Sequence, residues 1–101
     1  MVLHNVYFWT KPEVDASQMA EFEKGTRTFL EAVPEIKRFE IGKPSSTPKR
    51  EVVDKSFALS IFVWFDSVED HDIYQTHPAH KVFIDSFNGL WEEVKVLDSD
   101  T

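Results

Sequence analysis

The chain has 101 residues, and its 11 Lys and Arg against 18 Asp and Glu give a formal net charge of −7 at pH 7. Its length predicts one domain, residues 1–101; the absence of cysteine excludes disulfides and metal–thiolate sites, and a 42% hydrophobic content excludes disorder. The basic residues are scattered along the chain, so we expect no nucleic-acid partner. The first residues do not resemble a leader, and no apolar run approaches the about 20 residues that span a membrane. We therefore expect a cytoplasmic protein without a membrane partner.

The first part of the chain predicts a strand, a helix and a second strand. Residues 2–10 alternate between two faces and have strand composition. From Asp15 or Ser17, either of which can cap a helix, apolar residues recur at helical spacing to about residue 33. Residues 37–42 alternate weakly and predict a short strand, which an exposed loop rich in Pro and Ser follows.

The segment Phe57–Phe65 is the strongest predicted strand, and both of its faces are apolar. A sheet that is covered by helices on one side needs only one apolar face. Phe62 and Trp64, together with Tyr7 and Trp9 of the first strand, therefore require another cover. A second subunit would supply it, so we expect a homodimer.

The last part of the chain predicts two consecutive helical pieces and a closing strand. Ser67 is a typical N-cap for a helix that runs to about Thr76. Pro78 suits the first turn of the next piece, whose apolar face extends to Trp91. Residues 93–98 alternate as a strand does. The order β-α-β-β-α-β predicts the α+β class with a ferredoxin-like antiparallel sheet.

The sequence resembles the stress-responsive A/B barrel family, also called Dabb domains. Two segments carry the resemblance, Tyr74-Gln75-Thr76-His77-Pro78-Ala79-His80 and Trp91-Glu92-Glu93-Val94-Lys95-Val96-Leu97-Asp98. It extends over nearly the whole chain, including His4 in the first strand and Gly42 at the end of the second. The resemblance implies a ferredoxin-like fold whose sheets pair across a two-fold axis into a dimeric α/β barrel.

The resemblance also implies a site. In family members of the olivetolic acid cyclase type, which are plant polyketide cyclases, a tyrosine and a histidine of this segment catalyse an aldol ring closure without a cofactor. Tyr74 and His80 would be that catalytic pair here, and His4 and Ile61 would line the ligand pocket between sheet and helices. Thr26 would be a third ligand-binding residue, at the position where these cyclases have a second pocket tyrosine, so a polar and aromatic contact is lost.

The histidines have other interpretations. An imidazole can act as a base near pH 7 and a phenol can hydrogen-bond an enolate oxygen, so His80 and Tyr74 suit aldol chemistry. His80 on an apolar helical face equally fits a buried histidine that a backbone carbonyl or Tyr74 satisfies. His77 precedes a proline at a helix start, where capping explains it. The spacing of His77 and His80, with His71 nearby, resembles a metal-ligand pair, but the intervening proline and apolar neighbours disfavour a polar shell, and we expect no metal.

Two functions follow from these observations. In the first, a homodimer binds a small organic, polyketide-like ligand near His80, Tyr74 and His4, with or without cofactor-free lyase or isomerase chemistry. In the second, the protein is a stress-related dimeric module that acts by binding or structure and catalyses no reaction. The acidic residues near the end of the chain, Asp98 among them, are expected to form a solvated rim.

Overall fold

The computed structural model describes residues 1–101 and confirms the predicted order of strands and helices. The strands are β1 (Val2–Thr10), β2 (Arg38–Gly42), β3 (Leu59–Phe65) and β4 (Trp91–Asp100), and the helices are α1 (Ala16–Glu31), α2 (Val68–Thr76) and α3 (Pro78–Phe87). A short 3-10 turn, Asn88–Leu90, joins α3 to β4, so Trp91 begins the last strand and does not extend the helix. No helix combines the length and the apolar character needed to cross a membrane.

Side chains cap the three helices at their N-termini. Asp15 and Gln18 form a capping box in which each side chain accepts a hydrogen bond from the other's backbone N–H, at 2.8 and 2.9 Å. Ser67 caps α2. His77 has extended backbone because Pro78 follows it, which ends α2, and its Nδ1 accepts a 3.0 Å hydrogen bond from the backbone two residues later. Capping by His77 is thus confirmed.

The four strands form one antiparallel sheet in the order β2-β3-β1-β4, which confirms the ferredoxin-like α+β fold. The three helices lie on one face of this sheet, and the hydrophobic core fills the space between them. Alternate residues of the two central strands point into that core, where they meet aromatic and aliphatic side chains of the helices. The core residues include Val6, Phe8, Phe22, Phe29, Leu30, Leu59, Ile61, Val63, Phe65, Tyr74 and Phe83.

The second face of the sheet has no helix over it, and we call it the open face. Its central side chains are Leu3, Tyr7 and Trp9 of β1, Phe62 and Trp64 of β3, and Leu97 of β4. The Tyr7 ring packs edge-on against Phe62 at 6.2 Å, and the Arg38 guanidinium lies 4.7 Å from the Trp64 ring. The chain therefore presents an aromatic surface on the side that its own helices do not cover.

Candidate functional site

A cavity of about 200 Å³ lies between the sheet and the helices. Apolar side chains form most of its wall, and Ile61 is one of them. The polar side chains that reach it are His4 of β1, Tyr74 and Gln75 of α2, and His80 of α3. The structure therefore brings four of the side chains singled out in the sequence, His4, Ile61, Tyr74 and His80, to one cavity.

Tyr74 and His80 meet across the break between α2 and α3. Their ring centroids are 5.3 Å apart and the rings are nearly perpendicular, at 79°. Phe29 of α1 packs against the same two rings, at 5.4 Å from each centroid. Neither the Tyr74 hydroxyl nor the His80 ring is hydrogen-bonded to another group of the chain. The contact is therefore an edge-to-face aromatic pair, which leaves the polar atoms of both side chains free for a ligand.

Burial sets the protonation state of this pair. Tyr74 is only 2% exposed, and burial, with the negative charge of Asp98, raises the pKa of its phenol above the ordinary value of 10. Partial burial lowers the pKa of His80, and a smaller electrostatic effect of His4 lowers it further. Near neutral pH the site thus holds a protonated phenol, which can donate a hydrogen bond, and a neutral imidazole, which can accept a proton.

His4 is paired with Asp98 through the register of the sheet. The two residues lie opposite each other in β1 and β4, and His4 Nδ1 is 2.6 Å from Asp98 Oδ1. Burial lowers the pKa of His4 more than the hydrogen bond and the charge of Asp98 raise it. The ring is therefore neutral and donates from Nδ1, which leaves the lone pair on Nε2. Asp98, expected in a solvated rim, instead orients a buried histidine.

Thr26 lies in the packing of α1. It is fully buried, and its hydroxyl donates a 2.7 Å hydrogen bond to the backbone oxygen of Phe22. It is not part of the cavity wall that contains His4, Tyr74 and His80. The side chain at this position therefore uses its polar group within its own helix.

Aromatic side chains narrow the cavity. From the sequence alone, aromatic residues are expected only to pack in the core or at an interface. Phe8, Phe83 and Trp91 line it, and the ring centroids of Phe8 and Trp91 are 4.9 Å apart. The indole Nε1 of Trp91 is buried and has no hydrogen-bond partner in the chain. A buried N–H without a partner is costly, and an oxygen of a bound molecule is one group that could satisfy it. The helical spacing from His80 to Phe83 is the sequence signal for part of this wall.

The fold and cavity together define a ferredoxin-like domain with a small site beneath its helices. The profile of the family described as the Stress responsive A/B Barrel Domain, Dabb, matches residues 2–101. The chain therefore belongs to the Dabb family, which confirms the resemblance stated above.

Relatives of the chain include proteins of known activity and proteins of unknown function. The olivetolic acid cyclase of Cannabis sativa is 29% identical over 97 residues, which cover 96% of this chain and 93% of that protein. A crystal structure of an Arabidopsis thaliana protein matches with a TM-score of 0.84 and 27% identity, over 100% of this chain and 95% of that one. A Thermobifida fusca protein of unknown function, described as dimeric and ferredoxin-like, matches with a TM-score of 0.81 and 15% identity, over 99% and 90% of the two chains.

Proposed function

We propose that the protein is a homodimer whose subunits each bind a small organic, polyketide-like ligand in the cavity between sheet and helices. His80 and Tyr74 then perform cofactor-free acid–base chemistry on that ligand, of the lyase or isomerase kind. The observation that carries the proposal is that the His80 imidazole and the Tyr74 phenol meet in one mostly apolar cavity, neither of them hydrogen-bonded within the chain. The directions of their pKa shifts favour a neutral imidazole and a protonated phenol. A few polar groups on an apolar wall are typical of small-molecule sites. The similarity to the Cannabis sativa olivetolic acid cyclase supports the type of chemistry.

The cavity restricts the ligand. Its volume of about 200 Å³ lies below the range of about 300–1,000 Å³ that drug-sized molecules occupy. Phe8, Ile61 and Trp91 offer apolar contacts, whereas His4 Nε2 can accept a hydrogen bond and Tyr74 can donate one. A compact molecule with an apolar body, a carbonyl and a hydroxyl matches these groups.

The proposed reaction starts with proton transfer to His80. Its neutral imidazole takes a proton from the carbon next to a ligand carbonyl, and the electron pair of that C–H bond moves into an enolate. The Tyr74 hydroxyl donates a hydrogen bond to the enolate oxygen, where negative charge develops. The enolate carbon then attacks a second carbonyl of the same ligand, and the alkoxide that results takes the proton back from His80. No external oxidant, reductant or cofactor is needed for this aldol step.

The proposed dimer covers the open face. Phe62 and Trp64 of one subunit would pack against the same face of a second copy, across a two-fold axis. Three features support this partner: the aromatic character of the face, the absence of a helix over it, and the description of the Thermobifida fusca relative as dimeric. The two sites of the dimer would lie on opposite sides of the shared interface, because each cavity is on the helix-covered face of its own sheet.

Exchange of α-protons for deuterium tests the chemistry without knowledge of the natural substrate. The probe is methyl propyl ketone in D2O, followed by proton NMR. We expect the wild-type protein to accelerate exchange, His80→Ala to lose about 10²–10⁴-fold of that acceleration, and Tyr74→Phe to lose about 10²–10³-fold. The matched control is His77→Asn, because asparagine keeps a capping side chain and the residue lies outside the cavity wall. An exchange rate equal in wild type and His80→Ala would contradict the acid–base role.

A second candidate function is a dimeric module that binds its ligand without turnover, or acts through its structure alone. The crowding of the cavity by Phe8, Phe83 and Trp91 favours it. Native mass spectrometry of freshly purified protein distinguishes a module that binds a ligand without turnover from one that acts through its structure alone. A dimer with a retained mass that His80→Ala loses, but no α-proton exchange, would support binding alone. An empty dimer without exchange would support a structural module.

A further inference from the structure

A second group of polar side chains lies beside the cavity, at the end of the sheet where α2 begins. His4, His71 and Asp98 each have a potential ligand atom, a ring nitrogen or a carboxylate oxygen, and these three atoms lie within 4.8 Å of one another. The rings of His4 and His71 are 5.0 Å apart, and the His4–Asp98 contact is 2.6 Å. Three separate elements, β1, α2 and β4, supply the group, so the fold itself brings these side chains together.

The donor set matches a transition metal. Two imidazoles and one carboxylate are a recurring ligand set for Zn²⁺ and for other divalent ions of the first transition row. Metal–ligand distances of about 2.0–2.2 Å require neighbouring ligand atoms to lie about 3–3.6 Å apart. Atoms as far apart as 4.8 Å must therefore approach by about 1–2 Å, and the 2.6 Å His4–Asp98 contact must lengthen by about 0.4–1 Å. Asp98 and His71 can make that adjustment, because their side chains are 49% and 19% exposed.

The surroundings of His71 support a ligand role. Its Nδ1 lies 3.1 Å from Asp72 Oδ1, and a carboxylate that accepts from one ring nitrogen is the usual partner of a metal-binding histidine. That contact leaves the lone pair on Nε2, which the Gln75 side-chain amide approaches at 3.4 Å and which a metal would take over. Glu69 and Asp70 occupy the first turn of the same helix, and the whole chain carries a net charge of −7, so the potential around the group favours a cation.

The His4 ring can bind a metal through Nδ1, the atom that now contacts Asp98 Oδ1 at 2.6 Å. Binding through Nδ1 would move the ring proton to Nε2, and the metal would take the place of the proton now shared with Asp98. No proton is gained or lost in this exchange of tautomers.

We propose that His4, His71 and Asp98 form a binding site for one divalent transition-metal ion, of which Zn²⁺ is the representative, with at least one coordination position left to water. Asp72 is a positioning residue that orients His71. The sequence predicts no metal at the local pair His77 and His80, whereas this site joins residues from opposite ends of the chain.

Metal titration of the full chain tests the site independently of any organic ligand. Zn²⁺ binding is measured by calorimetry and Co²⁺ binding by its visible absorption, which reports imidazole and carboxylate coordination. We expect one ion per chain, a loss of affinity of at least about 10–100-fold in His71→Ala and Asp98→Asn, and a loss of about 10–100-fold in Asp72→Asn. Helices α2 and α3 offer a matched control in His77→Asn, which removes an imidazole outside the group and should bind as wild type does.

Three results would overturn the proposal: no saturable binding, binding that His71→Ala leaves unchanged, or binding that His77→Asn abolishes. Circular dichroism of each variant separates loss of a ligand from loss of the fold. The titration needs neither the organic ligand nor the His80–Tyr74 pair, so a failed exchange assay with intact Zn²⁺ binding would reject the proposed enzyme and leave the metal site standing. The opposite pair of results would reject the metal site alone.

Discussion

The two faces of the sheet are built from the same strands but differ in what covers them. On the helix-covered face, β1 contributes His4, Val6 and Phe8, which the helices of the same chain bury around a small polar site. On the open face, the alternate residues Tyr7 and Trp9 remain half-buried with no helix over them. The difference teaches that this chain covers its site face with its own helices, whereas only the proposed dimer would cover its open face. A substitution on one face should therefore leave the property of the other face intact.

The largest expected effect is the loss of the dimer in Trp64→Lys. If the open face is the interface, this change buries an unpaired charge twice, at about 3–5 kcal/mol for each uncompensated charge, next to the cation of Arg38. Analytical ultracentrifugation should show a monomer that retains the helical circular dichroism of the wild type. Val82→Lys adds the same charge on α3, where the side chain is 64% exposed, and should remain a dimer. An unchanged mass for Trp64→Lys would place the interface elsewhere.

The next effect concerns the helix layer and should not touch the dimer. Gly25 lies in the middle of α1, and the ring of Phe87 packs so close to it that an added Cβ would overlap the ring. We expect Gly25→Ala to lower the free energy of unfolding by about 1–2 kcal/mol, because overpacking costs about 1–3 kcal/mol and better helix propensity returns up to about 1 kcal/mol. Urea unfolding at fixed protein concentration measures this.

The control for Gly25→Ala is Gly89→Ala, since a Cβ at Gly89 meets no atom within 4 Å. Combining Gly25→Ala with Phe87→Leu should recover part of the loss, because the smaller side chain can make room. A stable Gly25→Ala protein would mean that Phe87 moves aside at no cost.

A smaller effect is expected at the pair that links the site to the sheet. Asp98→Asn replaces the carboxylate beside His4 with a neutral acceptor, so the His4 pKa should fall further and the protein should lose about 1 kcal/mol of stability. NMR titration of the imidazole and urea unfolding, both with a chelator present, measure the two quantities. Asp100→Asn changes the same charge on the same strand without a side-chain partner and should alter neither. A His4 pKa that rises in Asp98→Asn would show that the carboxylate does not control this ring.

The sequence predicted the local structure well because local signals determine it. Ser67 and Pro78 mark helix starts through contacts within a few residues, and both positions are confirmed. Of the two candidate caps of α1, Asp15 and Ser17, the structure has Asp15. The site was predicted only in part. His4 and Asp98 are 94 residues apart, and their contact depends on the register between β1 and β4, which the alternation of either strand alone does not define.

Thr26 shows a different limit of prediction from sequence, which concerns the space around a side chain. Its position came from the family resemblance, and helical spacing places it on the same stripe as Phe22 and Phe29. Spacing shows which face of α1 a side chain occupies. It does not show whether the space in front of that side chain is filled, and here Thr26 is fully buried and outside the cavity wall.

The smallest expected effect is a pH dependence of the free energy of unfolding. It comes from His80 on the helix-covered face and should not change when the open face is altered. The pKa of His80 is lowered in the folded chain, whereas the unfolded chain has the ordinary value of 6.5. Above pH 6.5 the imidazole is neutral in both states, and stability is full. As the pH falls below 6.5, the unfolded chain binds the proton first, so the free energy of unfolding decreases until the folded chain also binds it. Because His80 is only partly buried, solvent screening keeps its contribution below about 1 kcal/mol.

Urea unfolding of the wild type and of His80→Gln between pH 7.5 and pH 5.5 isolates this contribution, since ordinary carboxylates titrate below that window, near about pH 4. The wild type should lose more stability than His80→Gln over the window, and His77→Asn should follow the wild type. Trp64→Lys should keep the same difference when His80→Gln is added to it, because proton binding at the cavity belongs to the helix-covered face of a single chain. A difference that vanishes in the Trp64→Lys background would show that the second subunit, and not the chain's own helices, keeps His80 neutral.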